Sequence, residues 1–435
     1  MVINRWLNSV AAAGKHLMRR SPQEKEGIAA LCKQLYSNKG EALGIALADE
    51  VARAYSTLDP EQKTAFFHTL ADDYNPDPEL IHQCAEAYRD SHSLSAYRSL
   101  ARAIESPRQT LFRRINMAPS GTRTVVSMRE DLLQIMTDDD ALSAVDDDLQ
   151  HLLSSWFNPG FLKLKTMDWH SPAIILEKLI EYEAVHEMQG WDDLRRRLDA
   201  TDRRCFGFFH PALPEEPLIF VEVALVPAVS RSVQAILAPH DGEVDQQSLN
   251  TAIFYSISNC QNGLRGISFG NFLIKQVVMQ LKQELPQLQH FATLSPVPGF
   301  MKWLNTIRFD ESQKVISEDE RSKLIALDTP GWHLHSSDEA LKVLLMRLCA
   351  HYLLLEKREK APLDPVASFH LGNGASIAGL NWLGDTSSKG LEQSAGILVN
   401  YQYDLDEVEQ HHEQFFNPGE IACTPAIRRL LTAQP

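Results

Sequence analysis

The sequence predicts an α+β protein, with an all-α helical bundle at the N-terminus and a mixed α/β domain after it. Residues 1 to 157 contain proline-marked helix starts that are followed by amphipathic periodicity. Runs rich in β-branched and aromatic residues begin at Cys205. The turn signal Asn158-Pro159-Gly160 lies between these regions. We therefore predict two domains, residues 1–157 and 158–435, a division that suits a chain of 435 residues.

Proline marks where the N-terminal helices begin. Three segments each offer an N-cap residue, a proline at the first helical position and Glu or Gln at the third. They are Ser21-Pro22-Gln23-Glu24, Asp59-Pro60-Glu61-Gln62 and Ser106-Pro107-Arg108-Gln109, and Asp77-Pro78-Glu79 is a weaker fourth. Each cap contributes about 1 kcal/mol. The amphipathic helices that follow predict a bundle that serves packing or assembly.

Two acidic clusters lie in this half, at residues 138–140 and 146–148. Hard metal ions need acids and carbonyls arranged by a turn, whereas these runs lie in helical sequence. We expect solvated helix faces or loops and no metal site.

Bulk composition excludes several classes of protein. A net charge of −15 argues against nucleic acid as a main partner, because phosphate binding needs a basic face. No apolar run reaches the roughly 18 residues of a membrane helix, so no membrane partner is expected. The six cysteines form no CxxC pair, which argues against a zinc ribbon or a disulfide scaffold and indicates a reducing compartment.

We expect a cytoplasmic protein, since no secretory signal is present. The first twenty residues contain Arg5, Lys15, Arg19 and Arg20 and no acid. A mitochondrial presequence therefore stays open beside a solvated first helix.

The C-terminal domain is predicted from segments of both kinds. Two helices come first, from Ser171 to about His186 and from Trp191 to about Ala200, and a helical insertion follows at about 317–359. Strands are predicted at Cys205–Phe209, Leu218–Leu225, Ala252–Asn259, a run from His290 that ends near Ser295, Ala367–Leu371 and Gly396–Tyr403.

A strand–loop–helix–strand unit at residues 251–303 is the densest pattern in the chain. Glycines in its loop let the backbone approach a ligand, and the helix from Asn271 to Leu285 would offer unpaired N–H groups to phosphate. The run from Arg265 to Gly270 resembles the loop that holds the coenzyme A pyrophosphate in the acetyltransferase (GNAT-like) fold, with Ser268 where the usual pattern has glycine. A purely structural turn is the alternative.

Three polar side chains lie where strand-like runs end, which is where catalytic residues concentrate. His370 precedes a Gly-Asn-Gly turn, Ser295 precedes two prolines, and Tyr403 ends the last run. Taken alone, each has a structural alternative: a buried histidine, a rigid turn and a core aromatic residue. No Gly-x-Ser-x-Gly elbow or Walker loop is present.

Several segments together resemble the malonyl-CoA decarboxylase family, most densely over residues 205–405. They include Phe208-Phe209-His210-Pro211, Phe254-Tyr255-Ser256-Ile257-Ser258, Leu294-Ser295-Pro296-Val297-Pro298-Gly299-Phe300, Phe369-His370-Leu371-Gly372-Asn373-Gly374-Ala375 and Asn400-Tyr401-Gln402-Tyr403. The resemblance implies an acetyltransferase-like catalytic domain that converts malonyl-CoA to acetyl-CoA and CO2. It also implies that the helical domain mediates a homo-oligomer, with dimers pairing into tetramers.

The resemblance assigns site residues as well. Ser295 and His370 would be catalytic, with Tyr403 in support. The substrate-binding positions would be Arg265, Gly266, Ile267, Ser268, Phe269, Gly270 and Asn271. Some members of the family carry an acid where this chain has Ser268.

The implied chemistry needs no metal and no organic cofactor. Loss of CO2 from a malonyl thioester leaves an enolate, and the thioester carbonyl can hold the charge if N–H donors near Gly266 and Ile267 stabilise it. Ser295 would fix the leaving carboxylate or the carbonyl. His370 would protonate the α-carbon, oriented by Tyr403.

Two other functions stay open at this point. An acyltransferase on the same fold would need an acceptor and a base that deprotonates it. A non-catalytic scaffold would bind CoA thioesters and leave malonyl-CoA intact. The product formed from malonyl-CoA without an acceptor separates the three.

Overall fold

The structure, a computed structural model, describes residues 9–12, 27–37, 40–136, 139–238, 245–267, 269, 273–310, 312, 315–335, 339–417 and 419–432. The chain divides into two units. The first comprises residues 1–162, 210–214 and 261–269, and the second comprises residues 163–209, 215–260 and 270–435.

The first unit is helical, as predicted. Its described helices are α1 (Ile28–Ser37), α2 (Glu41–Ser56), α3 (Pro60–Asp73), α4 (Pro78–Ser91), α5 (Leu94–Ile104), α6 (Pro107–Ile115), α7 (Gly121–Ile135) and α8 (Asp140–Trp156). Apolar side chains three or four residues apart form the core, and Leu111, Phe112 and Ile115 of α6 are all 0% exposed.

The proline-marked starts are N-caps wherever the structure describes them. Asp59 forms a capping box: its Oδ1 accepts the N–H of Gln62 at 2.8 Å, and its own N–H donates to Gln62 Oε1 at 3.1 Å. The side chains of Asp77 and Ser106 likewise accept N–H groups from the first turns of α4 and α6. The start at Ser21 lies outside the described residues.

Asp146 and Asp148 pair with buried arginines, so the expectation of a solvated acidic face is wrong for them. Arg108 Nε donates to Asp148 Oδ2 at 2.8 Å, and Arg129 Nε donates to Asp146 Oδ1 at 2.7 Å. Both arginines are at most 3% exposed, and a buried guanidinium needs a counter-charge. Because successive helix residues point about 100° apart, Asp146 faces α7, Asp147 faces solvent and Asp148 faces α6.

Helices α4 and α5 form a hairpin that adds almost nothing to the core. No residue of α4 is buried, and of α5 only Ala103 is. The helices pack on each other, with the rings of Tyr88 and Tyr97 5.9 Å apart. Four large apolar side chains of the hairpin are exposed, Leu80, Leu94, Tyr97 and Ile104, and these residues define the hairpin surface.

The second unit is built on a mixed sheet. Its strands are β1 (Lys163–Met167), β2 (Arg203–His210), β3 (Leu213–Val226), β4 (Thr251–Asn259), β5 (His290–Thr293), β8 (Ser376–Asn381) and β9 (Leu398–Gln402), while β6 (Lys357–Arg358) and β7 (Ala361–Pro362) pair separately. The order across the sheet is β1-β2-β3-β4-β5-β9-β8. β4 and β5 are parallel, whereas β3 with β4, β5 with β9 and β8 with β9 are antiparallel.

The second unit also contains helices. They are α9 (Ala173–Tyr182), α10 (Trp191–Asp199), α11 (Val233–Leu237), α12 (Leu273–Glu284), α13 (Phe300–Phe309), α14 (Glu318–Leu324), α15 (Glu339–Leu354), α16 (Pro365–Gly372), α17 (Ser388–Ser394), α18 (Val408–Phe416) and α19 (Pro425–Leu430). The predicted α+β class is confirmed, and α14 and α15 lie in the stretch predicted to be helical. None of the helices in the described ranges has both the length and the apolar character needed to cross a membrane.

The strand–loop–helix–strand unit is present as predicted. β4 and β5 run parallel with Phe254 opposite Thr293, and α12 lies between them in the chain. The ladder ends where the Leu294 N–H donates to the Phe254 carbonyl at 3.0 Å. Beyond it the chain pairs with β9, because Ser295 and Val399 exchange two backbone hydrogen bonds. This change of partner fixes the backbone of Ser295.

The run Ala367–Leu371 is helical, so its prediction as a strand is wrong. It belongs to α16, which starts from an Asp364 N-cap with Pro365 at the first position. Ala367, His370 and Leu371 are at most 2% exposed. A short apolar run with so few exposed positions gives no clear period, and periodicity alone cannot separate a buried strand from a buried helix.

Removing the Asp148 carboxylate should strongly destabilise the helical unit. Asp148→Ala leaves the Arg108 guanidinium buried without its counter-charge, and such losses cost about 3–5 kcal/mol. Asp147→Ala makes the same chemical change at an exposed position and should change stability by less than about 0.5 kcal/mol. Urea unfolding measures both variants, and equal effects would contradict the buried pairing.

Candidate active site

Ser295 lies where the chain leaves the parallel ladder, and its side chain points into the second unit. The residue is 6% exposed. Pro296 and Pro298 follow it and have no N–H to donate, so the strand cannot continue as a regular ladder. Ser295 Oγ lies 2.9 Å from Thr293 Oγ1 and 3.1 Å from His370 Nε2.

His370 is held through both ring nitrogens. It lies in the last turn of α16 and is 2% exposed. Its Nε2 faces Ser295 Oγ, and its Nδ1 lies 2.8 Å from the hydroxyl oxygen of Tyr403. The imidazole stacks on the ring of Tyr401, with centroids 4.6 Å apart and 24° between the planes. The three predicted catalytic residues therefore meet at one place.

Strand β9 supports the other side of the site. Val399 pairs with the serine segment, and Tyr401 and Tyr403 follow at two-residue spacing, which places their side chains on one face. The N–H of Tyr403 donates to the carbonyl of Phe291 at 2.8 Å. The ring of Tyr403 meets that of Phe254 edge to face, with centroids 6.4 Å apart. The phenol is thus fixed at both its backbone and its ring.

The hydrogen-bond pattern assigns one tautomer to His370. Ser295 Oγ donates its single proton to Thr293 Oγ1, which also accepts the N–H of Tyr401 at 3.2 Å. Nε2 therefore donates to Ser295 Oγ, and Nδ1 accepts the proton of Tyr403. The site therefore directs the Nε2–H of His370 at Ser295, while the Tyr403 hydroxyl donates to the other ring nitrogen.

Burial keeps these groups uncharged. Loss of solvation lowers the pKa of His370 to about 3, and burial raises the pKa of Tyr403 well above its usual range. At neutral pH the site therefore holds a neutral imidazole and a neutral phenol. In the described part of the chain, no three His, Cys, Asp or Glu side chains come together as ligands for a metal ion.

Asp364 links helix α16 to helix α13. Its Oδ1 accepts the N–H groups of Val366 and Ala367 at 3.0 and 2.9 Å, and its Oδ2 accepts the N–H of Gly299 at 3.4 Å. Burial raises the pKa of this carboxyl to about 6, although the three N–H groups oppose the shift. A Cβ at Gly299 would lie 2.2 Å from the Tyr352 hydroxyl oxygen, so this contact requires glycine.

Asn400 joins β9 to the end of β5. Its Nδ2 donates to the carbonyl of Thr293 at 2.7 Å and to that of Ser230 at 3.1 Å. Its Oδ1 accepts from Asn381 Nδ2 at 2.7 Å. These bonds fix the strand segment that carries the Thr293 acceptor.

The predicted CoA loop begins in the first unit, after a short helical turn at Asn262–Leu264. Arg265 and Gly266 are exposed, and Gly266 has a φ of +80°, a conformation that favours glycine. Ile267 is buried, and its N–H donates to the carbonyl of Leu264 at 3.0 Å. That N–H is already used within the turn.

The rest of the loop is described only in part. Phe269 is half-buried. The predicted positions Ser268, Gly270 and Asn271 lie outside the described residues.

Four residues of the site were not predicted: Thr293, Asp364, Asn400 and Tyr401. Two of them had a signal. Asp364-Pro365 repeats the helix-start pattern of the N-terminal half, and Thr293 precedes Ser295 by two residues, the spacing of side chains on one strand face. The roles of Asn400 and Tyr401 depend on which strand β9 joins, and no local pattern encodes that choice.

Comparisons with known proteins agree on one family. The family model described as malonyl-CoA decarboxylase C-terminal domain matches residues 160–435. The model described as malonyl-CoA decarboxylase N-terminal domain matches residues 74–157.

Similar proteins carry the same name. A solved structure of malonyl-CoA decarboxylase from Rhodopseudomonas palustris is 48% identical, covers 94% of this chain and 100% of its own, and has a TM-score of 0.90. One from Agrobacterium vitis is 47% identical, covers 93% and 99%, and has a TM-score of 0.87. The mitochondrial malonyl-CoA decarboxylase of Mus musculus is 38% identical over 74% of this chain and 70% of its own. The chain therefore belongs to the malonyl-CoA decarboxylase family.

Proposed function

We propose that this protein converts malonyl-CoA to acetyl-CoA and CO2, with His370 as the proton donor. One observation carries the mechanism: a fully buried, neutral imidazole lies between the hydroxyls of Ser295 and Tyr403. Membership of the family supports the substrate and the reaction.

Ser295 acts on the substrate before the proton moves. Its hydroxyl is held by Thr293 in the absence of substrate and turns to the leaving carboxylate or the thioester carbonyl. A hydrogen bond of this kind keeps the breaking C–C bond perpendicular to the carbonyl plane. The electron pair of that bond then passes into the thioester carbonyl, which gives CO2 and an enolate.

His370 ends the reaction by protonating the enolate carbon. The Nε2–H proton goes to the α-carbon, and the proton of Tyr403 moves to Nδ1, so the imidazole stays neutral. A proton from water then binds Nε2 while Nδ1 returns its proton to the Tyr403 oxygen, which restores the phenol and the starting tautomer. The balance is malonyl-CoA carboxylate plus one proton to acetyl-CoA plus CO2, and no metal or organic cofactor takes part.

The same geometry argues against acyl transfer. A transferase needs a base that takes a proton from an acceptor, whereas Nε2 already carries a proton directed at Ser295. Incubation with malonyl-CoA alone is the direct test. Acetyl-CoA and CO2 in equal amounts support the decarboxylase, and intact malonyl-CoA without an added acceptor refutes it.

We also propose that residues 265–271 bind the diphosphate of coenzyme A. Arg265 and Gly266 are exposed, and glycine at a φ of +80° gives a turn that allows close approach of a ligand to the backbone. An exposed arginine adds a charge that suits phosphate.

A homo-oligomer formed through the helical unit is part of the proposal. The hairpin surface of α4 and α5 exposes large apolar side chains, and the described residues of this chain leave it uncovered. Such a surface marks an interface. We assign it to a second copy of the chain, since two α4–α5 hairpins present matching apolar faces across a two-fold axis.

The compartment stays as predicted from the sequence, cytoplasmic with a mitochondrial location open. Relatives from goose and mouse are named mitochondrial. The basic positions that bear on targeting fall within residues 1–8 and 13–20, outside the described residues.

Replacing the proposed proton donor should abolish most turnover. His370→Ala should lower kcat by at least about 100-fold, because positioned acid catalysis contributes about 10²- to 10⁴-fold. Ser295→Ala should also lower kcat, while affinity for coenzyme A changes little in both variants. His290→Ala, at an exposed position of β5, is the matched control and should keep normal kinetics. Near-normal turnover of His370→Ala would remove the proton-donor assignment.

Neutral burial of His370 predicts a specific acid sensitivity. As pH falls from 8 to 5, His370 in the unfolded chain takes up a proton near its ordinary pKa of 6.5, and the folded group, with a pKa of about 3, does not. The free energy of unfolding should therefore fall by about 2 kcal/mol through this group. His370→Asn should lose about 2 kcal/mol less than the wild type over this range. His170→Asn, at an exposed site, should match the wild type.

Charges on the hairpin surface should prevent self-association. Leu94→Glu combined with Tyr97→Glu places two carboxylates where apolar side chains would be buried between copies. Sedimentation velocity should show a smaller species than the wild type. Phe309→Glu, an exposed apolar position of α13, should leave the wild-type species unchanged. An unaltered oligomer in the double variant would place the interface elsewhere.

A further inference from the structure

We infer that the helical unit shapes the CoA loop through Arg129, which makes this arginine a positioning residue for malonyl-CoA binding. The inference rests on the proposed function of the loop. Helix α7, which carries Arg129, and residues 261–269 lie in the same unit although they are far apart in the sequence.

Arg129 holds the start of the loop and the turn before it through two backbone carbonyls. Its Nη1 donates to the carbonyl oxygen of Gly263 at 3.0 Å and to that of Arg265 at 2.7 Å. The other edge of the same guanidinium faces Asp146, with Nε to Oδ1 at 2.7 Å and Nη2 to Oδ2 at 3.3 Å. The residue is 2% exposed. One planar, buried group therefore bridges α8 to the loop, and we call it the arginine clamp.

Neighbouring residues of α7 and α8 complete the contact. A Cβ at Gly263 would lie 2.0 Å from the carbonyl oxygen of Val126, so the loop backbone rests directly on α7. Asn262 Nδ2 donates to Glu130 Oε1 at 2.9 Å. Gln150 Nε2 of α8 lies 3.5 Å from the carbonyl oxygen of the next glycine, residue 266. Residues 262, 263, 265 and 266 are therefore each held by α7 or α8.

The clamp determines where the loop directs its donors. The C=O and N–H of a trans peptide point in opposite directions, and no described peptide bond is cis. Because the carbonyl of Arg265 points at Arg129, the N–H of Gly266 in the same peptide unit points away from α7. Arg265 and Gly266 are also exposed. The arginine clamp thus holds an amide and a cationic side chain outward, as an anionic ligand requires.

The charge of Arg129 does not itself recruit the ligand. Asp146 neutralises it at two contacts, and the guanidinium is buried. Arg129 therefore contributes by positioning the loop through hydrogen bonds to two carbonyls. This predicts that its replacement weakens the binding of malonyl-CoA and leaves the rate of the chemical step unchanged.

Arg129→Lys tests the clamp. A lysine ammonium keeps the charge next to Asp146 but lacks the planar fork needed to reach both carbonyls and the carboxylate. We expect the KM for malonyl-CoA and the Kd for coenzyme A to rise about tenfold, with kcat within about twofold. Amide hydrogen exchange of residues 261–267 should become faster.

Arg108→Lys is the matched control. Arg108 is 3% exposed, pairs with Asp148 and donates to the carbonyls of Leu70 and Ala71, so it makes the same kind of bonds without touching the loop. It should leave KM, Kd and exchange of residues 261–267 unchanged. If both variants raise KM equally, general loosening of the helical unit explains the effect and the clamp is refuted.

Three outcomes separate this inference from the proposed function. Exchange at residues 261–267 that is unchanged in Arg129→Lys overturns the clamp, whatever the activity. Faster exchange with unchanged Kd for coenzyme A overturns its role in binding. Absence of malonyl-CoA turnover in the wild type would refute the proposed function alone. If Arg129→Lys does not fold, Asp146→Asn, compared with Asp148→Asn, removes the charged partner of the clamp and gives the same test.

Discussion

The site in the second unit depends on hydrogen bonds to both nitrogens of one buried imidazole, that of His370. An imidazole without solvent needs a partner at each nitrogen, and here two hydroxyls supply them from separate segments of the chain. The serine follows β5, the histidine lies on α16 and the tyrosine follows β9. If any of these elements shifts, a polar atom is left unpaired in the interior. The need to pair both ring nitrogens therefore fixes the positions of these three elements relative to one another.

Backbone interactions meet this demand. The serine segment leaves β4 and pairs with β9, which brings the first hydroxyl to the strand that carries the second. Asp364 caps the helix of the histidine and also contacts the helix that starts after the serine. The Asp364 carboxylate therefore helps to position the imidazole without contacting it. The burial that this packing produces also keeps the imidazole neutral, because it lowers the pKa of His370.

Local sequence patterns predicted the parts of the fold that depend on neighbouring residues. Two such parts agree with expectation: the cap at Asp59, and the parallel pair β4 and β5 with the helix between them. The meeting of Ser295, His370 and Tyr403 also agrees, but it was expected from the family resemblance and not from spacing. Hydrophobic periodicity gave the wrong prediction for α16, because burial leaves too few exposed positions to show a helical period. The acidic run at residues 146–148 was also predicted wrongly in part, because two of its carboxylates face buried arginines of α6 and α7. Those outcomes depend on tertiary partners, which a window of sequence does not contain.

The route of the chain through the two units has a consequence for dissecting the protein. After its first 162 residues the chain contributes two later stretches, 210–214 and 261–269, to the helical unit. Cutting the chain at residue 157 would therefore not release a self-contained helical unit. Residues 1–157 would be separated from both of these stretches. Recombination between relatives that exchanges the whole helical unit would need breakpoints at several positions in the gene.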